Sequence, residues 1–185
     1  AVLGNTFIAG EAGGSTRHST NGTSFTNTTA APPGEFFEQY QNRIFIGGTS
    51  STLFYSTTND GTNWSTTGTS DSSSLVIPGA GKIHKIFKLG DRIHTGKAGG
   101  NIFRWDGFSL VDMATGLNMS SPYSYGTTED VGFYLNRLGV NSISIRGPQL
   151  ISNAIQRKIY NDSNTGIAGT NFNTAPGIVH LYDYY

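Results

Sequence analysis

The chain has no cysteine, which excludes disulfide scaffolds, zinc–thiolate sites and thiol nucleophiles. Charge is scarce and balanced. Only 13% of the 185 residues are charged, and 12 Lys and Arg stand against 12 Asp and Glu, so the formal net charge is zero. A generic electrostatic grip on nucleic acid needs a basic surface, and the bulk balance argues against one while leaving local patches open. No apolar run approaches the ~20 residues of a membrane-spanning helix, so no membrane span is expected. The opening Ala1-Val2-Leu3-Gly4 lacks the basic start of a secretory signal. With no initiator Met and a final strand-like run that simply stops, the expectation is a portion of a longer protein.

What is present is Gly, Ser, Thr and Asn, with short apolar-aromatic runs between them. Hydrophobic residues make up 36% of a chain long enough to bury a real core. Those runs recur. The first unit holds Asn5-Thr6-Phe7-Ile8-Ala9, a Gly-rich turn from Gly10 to Gly14, and Thr16-Arg17-His18. The second holds Asn42-Arg43-Ile44-Phe45-Ile46 and Leu53-Phe54-Tyr55. The third holds Asp91-Arg92-Ile93-His94, then Ile102-Phe103-Arg104-Trp105, and continues into Phe108-Ser109-Leu110. The fourth holds Val131-Gly132-Phe133-Tyr134-Leu135 and Ser142-Ile143-Ser144-Ile145.

The turn glycines Gly22, Gly61, Gly107 and Gly147 are 39, 46 and 40 residues apart. Periods of roughly 40–50 residues with several short strands each are the mark of propeller blades. A further strand precedes the later units: Phe36-Phe37-Glu38-Gln39-Tyr40, Lys82–Lys88 and Pro122-Tyr123-Ser124-Tyr125. In the second of these, Ile83, Lys85, Phe87 and Leu89 alternate with His84, Ile86 and Lys88, near period two. The apolar Ile86 on the second face implies cover on both sides. The expected fold is therefore all-β and propeller-like, a single domain or fragment of about four blades. The units fall near 1–30, 35–70, 75–115 and 120–150, as part of a larger propeller. Ile151, Ile155 and Ile159 share a helical spacing after a candidate N-cap at Ser152 or Asn153, which predicts one short helix near 153–161. Gly177 to Tyr185 reads as the start of a further strand.

One turn is richer than the rest. Ser56-Thr57-Thr58-Asn59-Asp60-Gly61-Thr62-Asn63-Trp64-Ser65 combines residues that tolerate positive φ with a single Trp, as a tight hairpin requires. Its spacing resembles the Asp-box, or BNR repeat, found on blade hairpins of sialidases and other propellers: Ser/Thr, x, Asp, x, Gly, x, Thr, Trp. Thr57, Asn59, Gly61 and Trp64 fall on those positions, with Asn59 for the Asp and Asn63 for the Thr. Ser19, Asn21, Gly22, Ser24 and Phe25 form a shorter copy, and Asp106-Gly107 is the turn of the third unit. The resemblance implies a structural turn whose acidic or amide side chain bonds backbone and whose aromatic packs between strands.

Catalytic chemistry is hard to assemble from these residues. The early Arg-Ile-Pro element of sialidases is absent. The carboxylates Glu11, Glu35, Glu38, Asp71, Glu129 and Asp130 are scattered over turns, where a glycosidase needs two converging across a cleft. His18, His84, His94 and His180 are far apart, so solvent-facing or hydrogen-bonded strand histidines are expected in place of a metal site. Gly96-Lys97-Ala98-Gly99-Gly100 lacks the full spacing of a phosphate loop and reads as a hairpin turn. The expectation is no enzyme, no cofactor and no metal.

The order of elements from Arg43 to Ile155 resembles a family of tailed-phage virion proteins, the propeller-bearing nozzle or tail-tubular type. The strings in question are Asn42–Gly47, Leu53–Ser56, Ile77-Pro78-Gly79, Asn101–Gly107, Ser120–Ser124, Phe133–Gly139 and Pro148–Ser152. The resemblance implies a structural component of a virus particle, located in the tail or connector. It implies a homo-oligomeric ring held by side-to-side contacts, other tail proteins as partners, and transient contact with passing DNA. A secreted or cell-surface propeller module binding a glycan or receptor is the alternative, and a sialidase-like hydrolase a second.

Overall fold

The computed structural model describes residues 1–10, 13–65, 71–97, 101–113, 119, 123–128, 130–136 and 138–152. These form sixteen strands in four antiparallel sheets of four, each a meander in chain order. The first sheet comprises β1 (Val2–Leu3), β2 (Thr6–Ala9), β3 (Arg17–Ser19) and β4 (Thr26–Asn27). The second comprises β5 (Phe36–Tyr40), β6 (Arg43–Gly47), β7 (Thr52–Tyr55) and β8 (Ser73–Val76). In the third are β9 (Ile83–Leu89), β10 (Arg92–Lys97), β11 (Ile102–Trp105) and β12 (Leu110–Asp112). The fourth has β13 (Tyr125–Thr127), β14 (Gly132–Asn136), β15 (Gly139–Ser144) and β16 (Gly147–Leu150). The arrangement is propeller-like with about four blades, all-β among the described residues. The expected helix near 153–161 and the strand-like run from Gly177 lie outside them.

Alternation of side chains across each strand explains why the sheets stack. Along β6, Ile44 and Ile46 join Ile8 and Trp64 in a cluster against the first sheet. The intervening Phe45 faces the other way, into a cluster with Ile83, Ile86, Ile93 and Phe103 of the third sheet. All three of Ile44, Phe45 and Ile46 are fully buried. On β11 the same division sends Phe103 toward the second sheet and Ile102 toward Tyr134 and Ile143 of the fourth. Each such side chain contributes about 1.5–3 kcal/mol through burial. Aromatic rings reinforce the second contact: Phe45 meets Trp105 edge-on with centroids 5.5 Å apart, and Tyr55 stacks on Trp105 at 5.4 Å.

Three expectations need correction. The second unit does not end at 70: β8 pairs with β7 through Thr52↔Val76 to Tyr55↔Ser73, so the second sheet runs to Val76. The fourth unit's leading strand lies at Tyr125–Thr127, a little later than expected. The simple alternation along β9 also fails. Its pairing steps from Gly96↔Lys85 to Lys97↔Ile83, a bulge that leaves His84 extra. Parity reverses there, so Ile83 shares a side with Ile86 while Phe87 and Leu89 face the fourth sheet.

Candidate functional site

The sequence-derived turn residues come first. In the first sheet, Ser19 Oγ accepts from the Asn21 and Gly22 amides at 3.3 and 2.9 Å, and Asn21 Oδ1 accepts from Thr23 and Ser24 at 3.0 Å each. Gly22 has φ +74°. In the third sheet, Asp106 Oδ1 accepts from the Phe108 and Ser109 amides at 3.0 and 2.9 Å, and Gly107 sits at φ +103°. Those bonds, led by Ser109 and Phe108, hold the Asp106 carboxyl down at about 2.

The second unit departs from the expected roles. Asp60, not Asn59, is the acceptor: its Oδ1 takes the Thr62 amide at 2.9 Å and the Thr62 hydroxyl at 2.7 Å. Asn59 supplies the left-handed backbone, φ +60°. Gly61 is not in that region. It is glycine for space, since a Cβ there would meet Ile44 Cγ1 at 3.0 Å and Ile8 Cγ1 at 3.5 Å. Thr57 pairs with Asp60 in an isolated bridge. Nor is the stretch a tight hairpin, because the strand partnering β7 is β8, which starts at Ser73. Trp64 is buried, donates from Nε1 to Gly61 O at 2.9 Å, and packs with Ile8 of the preceding sheet. Phe25, its counterpart in the first sheet, is 39% exposed.

The stretch is fastened by a carboxylate that sequence reading left unassigned. Asp71 accepts from the Thr58 hydroxyl and amide at 2.6 and 2.8 Å and pairs with Arg43 at 2.5 Å. Thr58 first, then Arg43, hold its carboxyl at about 2. Arg43 also donates to Ser56 O and lies over the Tyr55 ring, 5.3 Å from its centroid. These groups are engaged with one another in a structural clasp.

The remaining candidates separate cleanly. Lys97, in the stretch with phosphate-loop flavour, is fully buried on β10 and donates from Nζ to Ile77 O and Gly79 O at 2.9 and 2.6 Å. It anchors the connection between the second and third sheets. His18 is bonded to Thr28 and Thr26, as expected. His94 is neither solvent-facing nor well bonded. It is fully buried and stacked on Phe87 at 5.2 Å, and its ring nitrogens have no partner of ordinary geometry, the Arg92 backbone only approaching. Burial lowers its pKa to about 4. His180, Glu11 and Glu129 lie outside the described residues. Among the described residues no group of three or more His, Asp or Glu could hold a metal ion.

One cavity brings chemistry together. The leading strands β5, β9 and β13 of three successive sheets, with Ala1 just ahead of β1, line a space of about 400 Å³. Glu35, Glu38, Lys85, Lys88, Tyr125 and Thr127 supply its polar groups. Glu35 is engaged by Lys82 at 2.5 Å. Lys85 Nζ stands over the Phe36 ring, 5.6 Å from its centroid. Burial lowers its pKa, with Glu38 opposing. Tyr125 Oη is buried without a hydrogen-bond partner, and burial, then the Glu38 charge, raise its pKa. Sequence reading missed this convergence because the lining residues are spread over three separate strands.

No protein-family model matches the chain, and no curated protein matches it.

Proposed function

We propose that this chain is a structural propeller subunit of a tailed-phage particle, in the tail or connector, held in a ring by side-to-side contacts. The observation that carries the reading is the state of the end sheet. Trp64 of the second sheet is buried against Ile8 of the sheet before it, whereas Phe25 at the corresponding place in the first sheet is 39% exposed, as are Phe7 at 40% and Val2 at 47%. An apolar sheet face of this kind is suited to another blade, from a neighbouring subunit or the same protein. The order of sequence strings described above supplies the virion context. Zero net charge suits a lumen through which DNA must slide without sticking.

The experiment is to identify the full reading frame and its neighbours, then measure the oligomeric state of the full-length protein by light scattering. Adjacent portal and terminase genes and a ring-sized particle are the expected result. A full-length protein that stays monomeric and binds no other tail component overturns the reading.

A second reading is favoured by Phe108, which the Asp106 turn holds fully exposed. An aromatic presented in this way suits a surface module that stacks on a glycan or receptor. Reproducible saccharide binding on a glycan array, lost in Phe108→Ala, would favour it over the virion assignment.

A further inference from the structure

The seam between the third and fourth sheets is less completely satisfied than the seam before it. Between the second and third sheets the buried cluster is apolar and aromatic, and polar groups around it are joined. Tyr40 Oη donates to Asp91 O at 3.0 Å, Lys97 to the Ile77 and Gly79 carbonyls, and Lys82 pairs with Glu35. The next seam packs Phe87, Leu89 and Ile102 against Tyr134 and Ile143. His94 stacks on Phe87, whose ring in turn lies 4.3 Å from that of Tyr125. Here polar atoms are left over: both His94 ring nitrogens, Tyr125 Oη and Asn141 Oδ1 are buried without a partner of ordinary geometry. Asn141 lies on the face that its cross-strand neighbour Tyr134 turns to the third sheet. In the earlier seam, β10 carries one such atom, Thr95 Oγ1. Each unpaired group offsets part of the apolar burial and regains its hydrogen bonds from water when the seam parts. A seam of this kind opens before a well-satisfied one.

We propose that this seam is an acid-operated joint: protonation of His94 releases the fourth sheet, β13 to β16, as a unit while the second and third sheets stay packed. The groups around the imidazole all resist its charge while the seam is closed. Arg92 precedes it by two residues on β10, and Arg104 is its direct partner on β11. From β9 it meets Phe87, with Leu89 beyond. The fourth sheet presents Tyr125 and Tyr134, whose phenols burial keeps un-ionised, and the uncharged Asn141 and Ile143. The carboxylates of Asp91, Asp106 and Asp130 stand with both arginines around a separate pocket, one that His94 does not line. Burial, then Arg104 and Arg92, depress the His94 pKa from 6.5 to about 4. Opening restores the ordinary value, so the open form takes up a proton that the closed form refuses. Each unit of acid between those two values raises the population of the open form about tenfold.

The test is peptide-resolved amide hydrogen exchange on the full chain across this pH range, corrected for the intrinsic pH dependence of exchange. Amides of β14 and β15 should lose protection about tenfold per pH unit, whereas β6 and β10 keep theirs. His94→Phe, which retains a ring against Phe87, should abolish that pH dependence in the fourth sheet. Should the variant fail to fold, the comparison of sheets in the unaltered chain decides. Loss of protection in β6 and β10 in step with β14 and β15 overturns the joint, since acid would then unfold the molecule as a whole. Fourth-sheet protection that is indifferent to pH overturns it as well. An equal acid response in folded His94→Phe also does so and moves the trigger to the carboxylates of Asp91, Asp106 and Asp130.

Discussion

Two buried ionisable side chains, His94 and Lys97, sit within four residues of each other on β10 and make opposite demands on their surroundings. His94 is held neutral against Phe87, its pKa falling from 6.5 to about 4 through burial, with Arg104 and Arg92 adding to the effect. A histidine whose folded pKa is depressed adds stability that is fully present above its unfolded pKa and is lost as pH falls through the folded value. Stability should therefore drop by about 3 kcal/mol between pH 6.5 and pH 4 on this account. Urea unfolding across that range should show the loss, and His94→Phe should flatten it. An unchanged pH profile in that variant would place the acid sensitivity elsewhere. Lys97 keeps its buried ammonium by donating hydrogen bonds to the carbonyls of Ile77 and Gly79. Lys97→Met should cost about 1–3 kcal/mol, because the buried Ile77 carbonyl and the half-buried Gly79 carbonyl both lose their donor. A Met variant as stable as the parent in urea would mean that water reaches those carbonyls.

At the scale of the element, the box-like turns are built from side chain to backbone, and their residue types are legible for that reason. Asn21, Asp60 and Asp106 each accept from amides a few positions on, a local geometry that short polar side chains make wherever the chain reverses. The assignment of Asn59 and Gly61 was not legible. Both residue types suit positive φ, and only the packing of Ile44 and Ile8 against Gly61 shows that its glycine serves close approach. Trp64 belongs to this scale as well. Trp64→Ala should destabilise the protein by about 3–5 kcal/mol, combining a cavity between two sheets with loss of the bond to Gly61 O. Chemical denaturation measures it, and a folded variant of equal stability would show that the ring does not couple the sheets.

Over the whole molecule, stability resides in the seams between sheets, each of which buries alternate residues of two neighbours. Gly47 makes the seam between the second and third sheets close-fitting: an added Cβ would lie 3.0 Å from Ile86 Cδ1 and 3.1 Å from Ile83 Cδ1. Gly47→Val should drive the two sheets apart and cost about 1–3 kcal/mol, as overpacking does. Adding Ile86→Val should recover part of that loss, read as a favourable coupling in a double-mutant cycle. Strict additivity of the two changes would mean that the sheets do not press on each other at that point.

The sequence by itself determined the elements. Turn glycines at a forty-residue period, and alternating apolar runs between them, dictate short antiparallel strands in repeated units, because turn chemistry and pleat are properties of neighbouring residues. Tertiary structure decided whatever depends on a second strand. The bulge at His84 that sends Ile83 and Phe87 to opposite neighbours appears only in the pairing with β10. The closing strand of the second sheet lies beyond a long connection that Asp71 and Arg43 fasten. The meeting of Glu38, Lys85 and Tyr125 in one cavity follows from three leading strands converging. No local pattern encodes that meeting, since each residue's partner is tens of positions away and is set by how whole sheets pack.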